Sequence, residues 1–252
     1  MGKASDIQRV AKGHSMKAVI AIAASLMLVG CASNSVVASR TADCAKPGSD
    51  QELALNMAED MANEGRLYAS LANLERLPED LVQVRLRKAR VLRLMGRNEA
   101  EPLYKSLLGT CLAADGEHGL GQLAAARNDN AAATQYLERA AKMAPTEGKI
   151  RNDLGVVYLN QRRVSEARFE FMTAMELQQS DSLAALNMVT LLIYQDNWKQ
   201  AAELANMAKL SPQQVADAQA RAEKIRGSAA NAVTSQANRL TEVVDASTGA
   251  VK

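Results

Sequence analysis

The thiol of Cys31 stands at the end of an apolar run, where its sulfur could act as a nucleophile and be alkylated. The run covers residues 18–30 and follows a basic segment that contains Lys3, Arg9, Lys12 and Lys17. Its 13 residues are too few to span a bilayer as a helix, because a span takes about 20 residues. A short apolar core behind a basic segment is typical of a secretory signal. We therefore expect residues 1–30 to be a signal peptide.

The tetrapeptide LVGC at residues 28–31 resembles the lipobox of bacterial lipoproteins. This resemblance implies cleavage before Cys31 and a diacylglyceryl group on its sulfur, with no other cofactor. Ala32 follows in place of the aspartate that often retains lipoproteins in the inner membrane, which implies lipid anchoring at the periplasmic face of the outer membrane. The alternative is an ordinary signal peptide with an incidental cysteine. Either Met1 or Met16 could be the translation start.

Two further thiols, Cys44 and Cys111, remain after Cys31. An even pair of cysteines in an exported protein can form a disulfide, because exported compartments are oxidising. Such a bond would tie the segment after the signal peptide to the body of the protein. The alternative is two unpaired thiols, with Cys111 buried on a helix.

Catalytic chemistry finds little support in the sequence. Of the two histidines, His14 belongs to the predicted signal peptide and His118 is isolated from cysteines and from clustered carboxylates. A lone histidine is a poor metal site and offers no partner for a nucleophile. We therefore predict that the chain is not an enzyme and binds neither a metal nor a small-molecule substrate.

Composition favours helices and argues against a nucleic-acid partner. Aromatic residues make up only 3% of the chain, while alanine and leucine, which are strong helix formers, are abundant. Residues 1–30 hold four of the 30 Lys and Arg residues and one of the 28 Asp and Glu residues, so the rest of the chain has a net charge of about −1. Nucleic-acid binding would instead require a basic patch.

A 34-residue repeat organises the helical region. Within Gly116–Pro145 and Arg151–Ser180, matching residues are 34 apart, so that Gly121 falls on Gly155 and Leu137 falls on Phe171. Paired helices with this period resemble the tetratricopeptide repeat. The resemblance implies an all-α fold, a right-handed superhelix of stacked helix pairs, with about five repeats and a capping helix at 212–226.

This pattern predicts four regions. Residues 1–30 are the signal peptide, and 31–50 form a flexible tether rich in small polar residues. Residues 51–226 form the repeat domain. Residues 227–252 form a low-complexity tail, which we expect to be disordered because it has few large apolar residues.

The repeat register also predicts a binding surface. Stacked repeats curve and expose an extended face built from their first helices. Side chains at matching positions of these helices mix amide, apolar and aromatic groups, which suits a peptide from a partner protein. The predicted groove residues are His118, Gln122, Asn152, Val156, Asn160, Thr190 and Tyr194.

A lipobox followed by such repeats is similar to the layout of the TadD lipoproteins of tight-adherence (Flp) pilus assembly. The resemblance implies a non-enzymatic, pilotin-like role, in which the protein binds the pilus secretin, or another pilus-assembly component, and helps the secretin reach or assemble in the outer membrane. Two alternatives stay open: a general scaffold of the cell envelope, or an activator of a cell-wall enzyme.

Overall fold

The structure is a computed structural model that describes residues 44–178 and 182–227. The predicted signal peptide, Cys31, the first part of the predicted tether and the tail beyond residue 227 lie outside the described residues. Within the described part, all regular secondary structure is helical. The helices are α1 (Ser49–Asn63), α2 (Leu67–Leu74), α3 (Val82–Leu94), α4 (Ala100–Lys105), α5 (Ala113–Ala126), α6 (Asn130–Met143), α7 (Gly148–Asn160), α8 (Val164–Leu177), α9 (Ser182–Tyr194), α10 (Trp198–Met207) and α11, which covers 212–227.

These helices form successive pairs, α1–α2 through α9–α10, and α11 follows as the predicted cap. Each helix from α1 to α10 packs against its neighbour in sequence, and first helices also contact the first helix of the next pair. The predicted all-α fold of stacked helix pairs is therefore confirmed. Helix α1 begins at Ser49, two residues before the expected start at residue 51.

The same turn ends the first helix of every pair. One residue in each turn has a positive φ: Gly65, Gly96, Asn128, Arg162 and Asp196, with φ between 58° and 78°. The next backbone N–H then reaches five residues back into the helix, as from Asn197 to the carbonyl of Leu192 at 2.9 Å. This bond is the mark of a Schellman cap, which requires the left-handed conformation.

Two glycines let the paired helices approach closely. A Cβ on Gly121 would lie 2.6 Å from Leu137, and a Cβ on Gly155 would lie 2.6 Å from the ring of Phe171. Leu137 and Phe171 are themselves buried in the core. A side chain at either position would therefore push the paired helices apart.

The core is divided along the stack rather than gathered at one centre. One cluster joins the first pair to α3 around Leu55 and Leu74, and a second joins the second pair to α5 around Tyr104 and Leu120. The third and largest runs from α5 to α11 around Phe171. Each repeat therefore buries its apolar face mainly against its neighbours, as expected of a solenoid.

A disulfide joins Cys44 to Cys111, with the two Cα atoms 6.1 Å apart. Cys111 is exposed and lies in the turn between α4 and α5, because α4 ends at Lys105. The alternative that places Cys111 buried on a helix is therefore wrong. Gln83 also donates a hydrogen bond to the carbonyl of Ala45 at 3.3 Å, so the described end of the predicted tether is attached to the repeats.

Candidate protein-binding groove

The first helices line two adjoining cavities of about 320 Å³ and 160 Å³. The larger extends from α1 to the start of α7, and the smaller extends from α5 to the start of α9. His118, Gln122 and Lys149 line both cavities, so the two form one continuous surface. We call this surface the first-helix groove.

Charged side chains dominate the end of the groove nearest α1. Arg90 on α3 lies 3.5 Å from the carboxylate of Glu59 on α1 and 2.8 Å from that of Asp115 on α5. Arg87 lies 3.1 Å from Glu59. Arg93, one turn further, donates a hydrogen bond to the hydroxyl of Tyr104 at 3.4 Å. This end of the groove therefore presents both charge signs to a partner.

A hydrogen-bonded cluster occupies the middle of the groove. Gln122 donates to Oδ2 of Asp153 at 2.7 Å, and Nε2 of His118 lies 2.7 Å from the same oxygen. Asn152 donates to the other carboxylate oxygen at 3.3 Å. Burial alone would raise the pKa of Asp153, but the hydrogen bonds and charge of His118, with those of Gln122 and Asn152, outweigh it and hold the pKa below its usual value.

The polar chain continues toward the C-terminal end of the stack. Asn187 on α9 donates to the side-chain oxygen of Asn152 on α7 at 2.8 Å. Arg221 on α11 donates in turn to the side-chain oxygen of Asn187 at 3.1 Å. Burial lowers the pKa of the Arg221 guanidinium. One connected set of polar side chains therefore links the first helices α5, α7 and α9 to the cap.

The predicted groove residues fall into two groups. His118, Gln122 and Asn152 line the groove, although Asn152 is only 5% exposed. Thr190 is 1% exposed and lines neither groove cavity. Asn152 bonds to Asn187 on α9, and the hydroxyl of Thr190 donates to the carbonyl of Leu186 on its own helix. Direct contact of Thr190 with a partner is therefore not compatible with this structure.

The remaining three candidates lie toward the C-terminal ends of their helices. Val156 and Tyr194 are half-buried against the core. Asn160 is exposed at the last residue of α7. Arg226 covers this end of α9, where its guanidinium donates to the carbonyl of Tyr194. A binding role for these three residues stays a prediction.

Sequence reasoning missed several polar groups of the groove. Asp153 lies one residue beyond the predicted Asn152, and Asn187 follows Asp153 at a spacing of 34 residues. Arg87, Arg90 and Arg93 recur at every third residue of α3. Such spacing places side chains on nearby faces of a helix, and this signal could have identified the charged end of the groove.

The groove offers hydrogen-bond donors and acceptors together with charges of both signs, which can satisfy the backbone and polar side chains of a bound peptide. Among the described residues, no group of three or more His, Cys, Asp or Glu side chains is placed to hold a metal ion. None of the described helices combines the length and hydropathy needed to cross a membrane.

Comparison with known proteins agrees with this architecture. Residues 124–185 match the family model of the tetratricopeptide repeat. The chain is 42% identical over 208 residues to the TPR repeat-containing protein PA4299 of Pseudomonas aeruginosa, which covers 82% of this chain and 85% of the relative.

A solved structure shares the fold at low identity. The tetratricopeptide-repeat protein TTC0263 of Thermus thermophilus superposes with a TM-score of 0.53 at 18% identity, over 69% of this chain and 98% of its own. MamA of Desulfovibrio magneticus gives a TM-score of 0.49 at 16% identity, over 68% and 98% of the two chains. With the relative that is 42% identical, the helix pairs establish that the chain belongs to the tetratricopeptide-repeat family.

Proposed function

We propose that this chain is a non-enzymatic adaptor that holds a segment of a partner protein in the first-helix groove. The observation that carries the proposal is the continuous groove, which polar side chains of α1, α3, α5 and α7 line from Glu59 to Asp153. Repeat proteins of this kind use such extended surfaces for binding. A partner segment that runs along the groove would meet polar groups of several repeats in succession.

The groove favours a partner segment that is polar and extended. Its accessible positions are the mixed charges around Arg90, the amide of Gln122 and the exposed ammonium group of Lys149, which has no ion pair among the described residues. A bound peptide would gain hydrogen bonds from these groups, because its own backbone donors and acceptors need partners once water is displaced. An apolar helix would leave the same groups unpaired.

The finer part of the proposal concerns location and partner. Its support is the lipobox at Cys31, followed by repeats in the layout of the TadD lipoproteins. A lipidated Cys31 would hold the repeats at the outer membrane, since two or more acyl chains give stable attachment. Attachment raises the effective concentration of the groove near membrane proteins. We assign the pilus secretin as the partner and its localisation or assembly as the task.

The test is the amount of heat-stable secretin multimer in outer membranes, with and without this protein. Multimers should be lost in the deletion strain, return with the wild-type chain, and stay absent with Cys31→Ser. Lys149→Glu should also fail to restore them, because it reverses a charge in the groove. Lys199→Glu is the matched control, since Lys199 is also exposed and lies outside the groove cavities.

Normal multimers in the deletion strain would contradict the secretin role. A general envelope scaffold, or an activator of a cell-wall enzyme, would then be the better account. If Lys149→Glu restores normal multimers and Cys31→Ser does not, the lipid anchor is supported. The first-helix groove is then rejected as the binding surface.

A further inference from the structure

Another cavity, apart from the two of the first-helix groove, lies between α8 and α10, the second helices of the last two pairs. Its volume is about 480 Å³, with walls from α8 and α10 and a floor from α9. Four methionines line it: Met172, Met175, Met188 and Met207. It shares no lining residue with the first-helix groove. We call this cavity the methionine pocket.

The walls of the methionine pocket are open to solvent. Met207 is 79% exposed and Met172 is 49% exposed. Exposed apolar clusters on soluble proteins commonly mark interaction sites. Methionine suits such a site, because its unbranched, polarisable side chain adapts to the shape of a partner.

The pocket has the length of a helix-binding groove. Its lining on α8 runs from Arg168 to Glu176, and its lining on α10 runs from Gln200 to Met207. Each stretch covers two helical turns, or roughly 12 Å at 1.5 Å per residue. That distance matches the apolar anchors at i, i+3 or i+4, and i+7 by which an amphipathic helix binds a groove.

The charges at the rim define the partner further. Glu176 and Glu203 line the pocket, and neither forms an ion pair with any described residue. The cation that lines it, Arg168, donates a hydrogen bond to the neutral amide of Gln195 and keeps its charge. Two carboxylates against one guanidinium leave the rim with a net acidic charge, which complements a basic partner.

We propose that the methionine pocket binds an amphipathic helix of a partner protein, with aliphatic side chains on one face and Lys or Arg on its flanks. The aliphatic side chains enter between Met172 and Met207, while the basic flanks lie against Glu176 and Glu203. This surface is separate from the first-helix groove, so the chain can hold two segments at once.

The probe is a synthetic amphipathic helix of roughly five turns, with leucines on one face and lysines on its flanks. Its binding to the purified full-length chain is measured by fluorescence anisotropy. Met172→Glu and Met207→Glu should each weaken binding about tenfold or more, because each puts a charge where an apolar side chain is buried. Glu176→Gln with Glu203→Gln should weaken binding and reduce its dependence on salt.

Four controls make the result decisive. Met57→Glu changes a methionine of similar exposure, 46%, on the distant helix α1 and should leave binding unchanged. A peptide with glutamates in place of the lysines, and a scrambled peptide of the same composition, should bind at least about tenfold more weakly. Lys149→Glu, in the first-helix groove, should leave binding of the lysine peptide unchanged. Failure of the methionine-pocket proposal can therefore be distinguished from failure of the proposed groove function.

Equal binding of the scrambled peptide, or an equal loss with Met57→Glu, would overturn the proposal. Absence of binding by the lysine peptide would also overturn it. A chain that is dimeric by sedimentation and becomes monomeric with Met207→Glu would assign the pocket to a second copy instead.

Discussion

Replacing Gly155 by alanine tests the close packing between α7 and α8. The added Cβ would lie 2.6 Å and 2.7 Å from two ring carbons of Phe171. The ring is fully buried at 0% exposure, so it cannot turn aside into solvent. Overpacking of this kind costs about 1–3 kcal/mol. Alanine also gains about 1 kcal/mol over glycine inside a helix, so the net loss should be about 1 kcal/mol.

The assay is urea unfolding followed by circular dichroism. Gly109→Ala is the control, because Gly109 lies in a turn with nothing within 4 Å of an added Cβ, and its midpoint should hardly change. Combining Gly155→Ala with Phe171→Leu should give a smaller total loss than the two single changes added together, since the smaller side chain makes room for the Cβ. An increase in stability with Gly155→Ala would refute the packing argument.

Three further predictions concern the disulfide, the groove and a turn. Reducing the bond between Cys44 and Cys111, which closes a loop across 67 residues, should lower the free energy of unfolding by about 2–4 kcal/mol; an unchanged urea midpoint in reductant would contradict this. The lowered pKa of Asp153 stabilises the fold at pH values above the usual pKa range of Asp, and this stability is lost as the pH falls through the lowered pKa. Asp153→Asn should therefore make the urea midpoint less sensitive to acid than in the wild type. An equal sensitivity in both proteins would contradict the role of the hydrogen-bonded cluster. Gly96→Ala forces a φ of 70° on a residue with a side chain and should lower the free energy of unfolding by about 1–2 kcal/mol. An unchanged midpoint of thermal unfolding would contradict the left-handed conformation of this turn.

The repeat period could be predicted from the sequence because it includes positions where the packing of the paired helices leaves no space for a side chain. Gly121 and Gly155 lie where any side chain would meet Leu137 or Phe171. This is why glycine at a fixed spacing predicted the helix pairs correctly.

The turn positions were harder to predict. The left-handed residues Asn128, Arg162 and Asp196 follow one another at exactly 34 residues. Arginine has no preference for that conformation, so Arg162 adopts it because the helices on either side require the turn. Asp129, the residue after Asn128, caps α6 by accepting a hydrogen bond from the backbone of Ala132.

The groove was predicted in outline and missed in detail. His118 and Gln122 were identified, but their common partner Asp153 was not, because it belongs to the next repeat and lies 35 residues beyond His118. Successive helical residues point about 100° apart. A register error of one residue therefore moves a side chain from the middle of the groove to its edge, and Asn152 lines the groove while being only 5% exposed.

The most direct test of the account is crosslinking from the groove in living cells. A photo-crosslinking amino acid replaces Lys149 in the first-helix groove or, as the control, Lys199 on α10. The account predicts that the pilus secretin is captured from position 149 and not from position 199. Capture from both positions alike, or from neither while the protein is present at its normal level, would contradict the claim that the groove holds this partner.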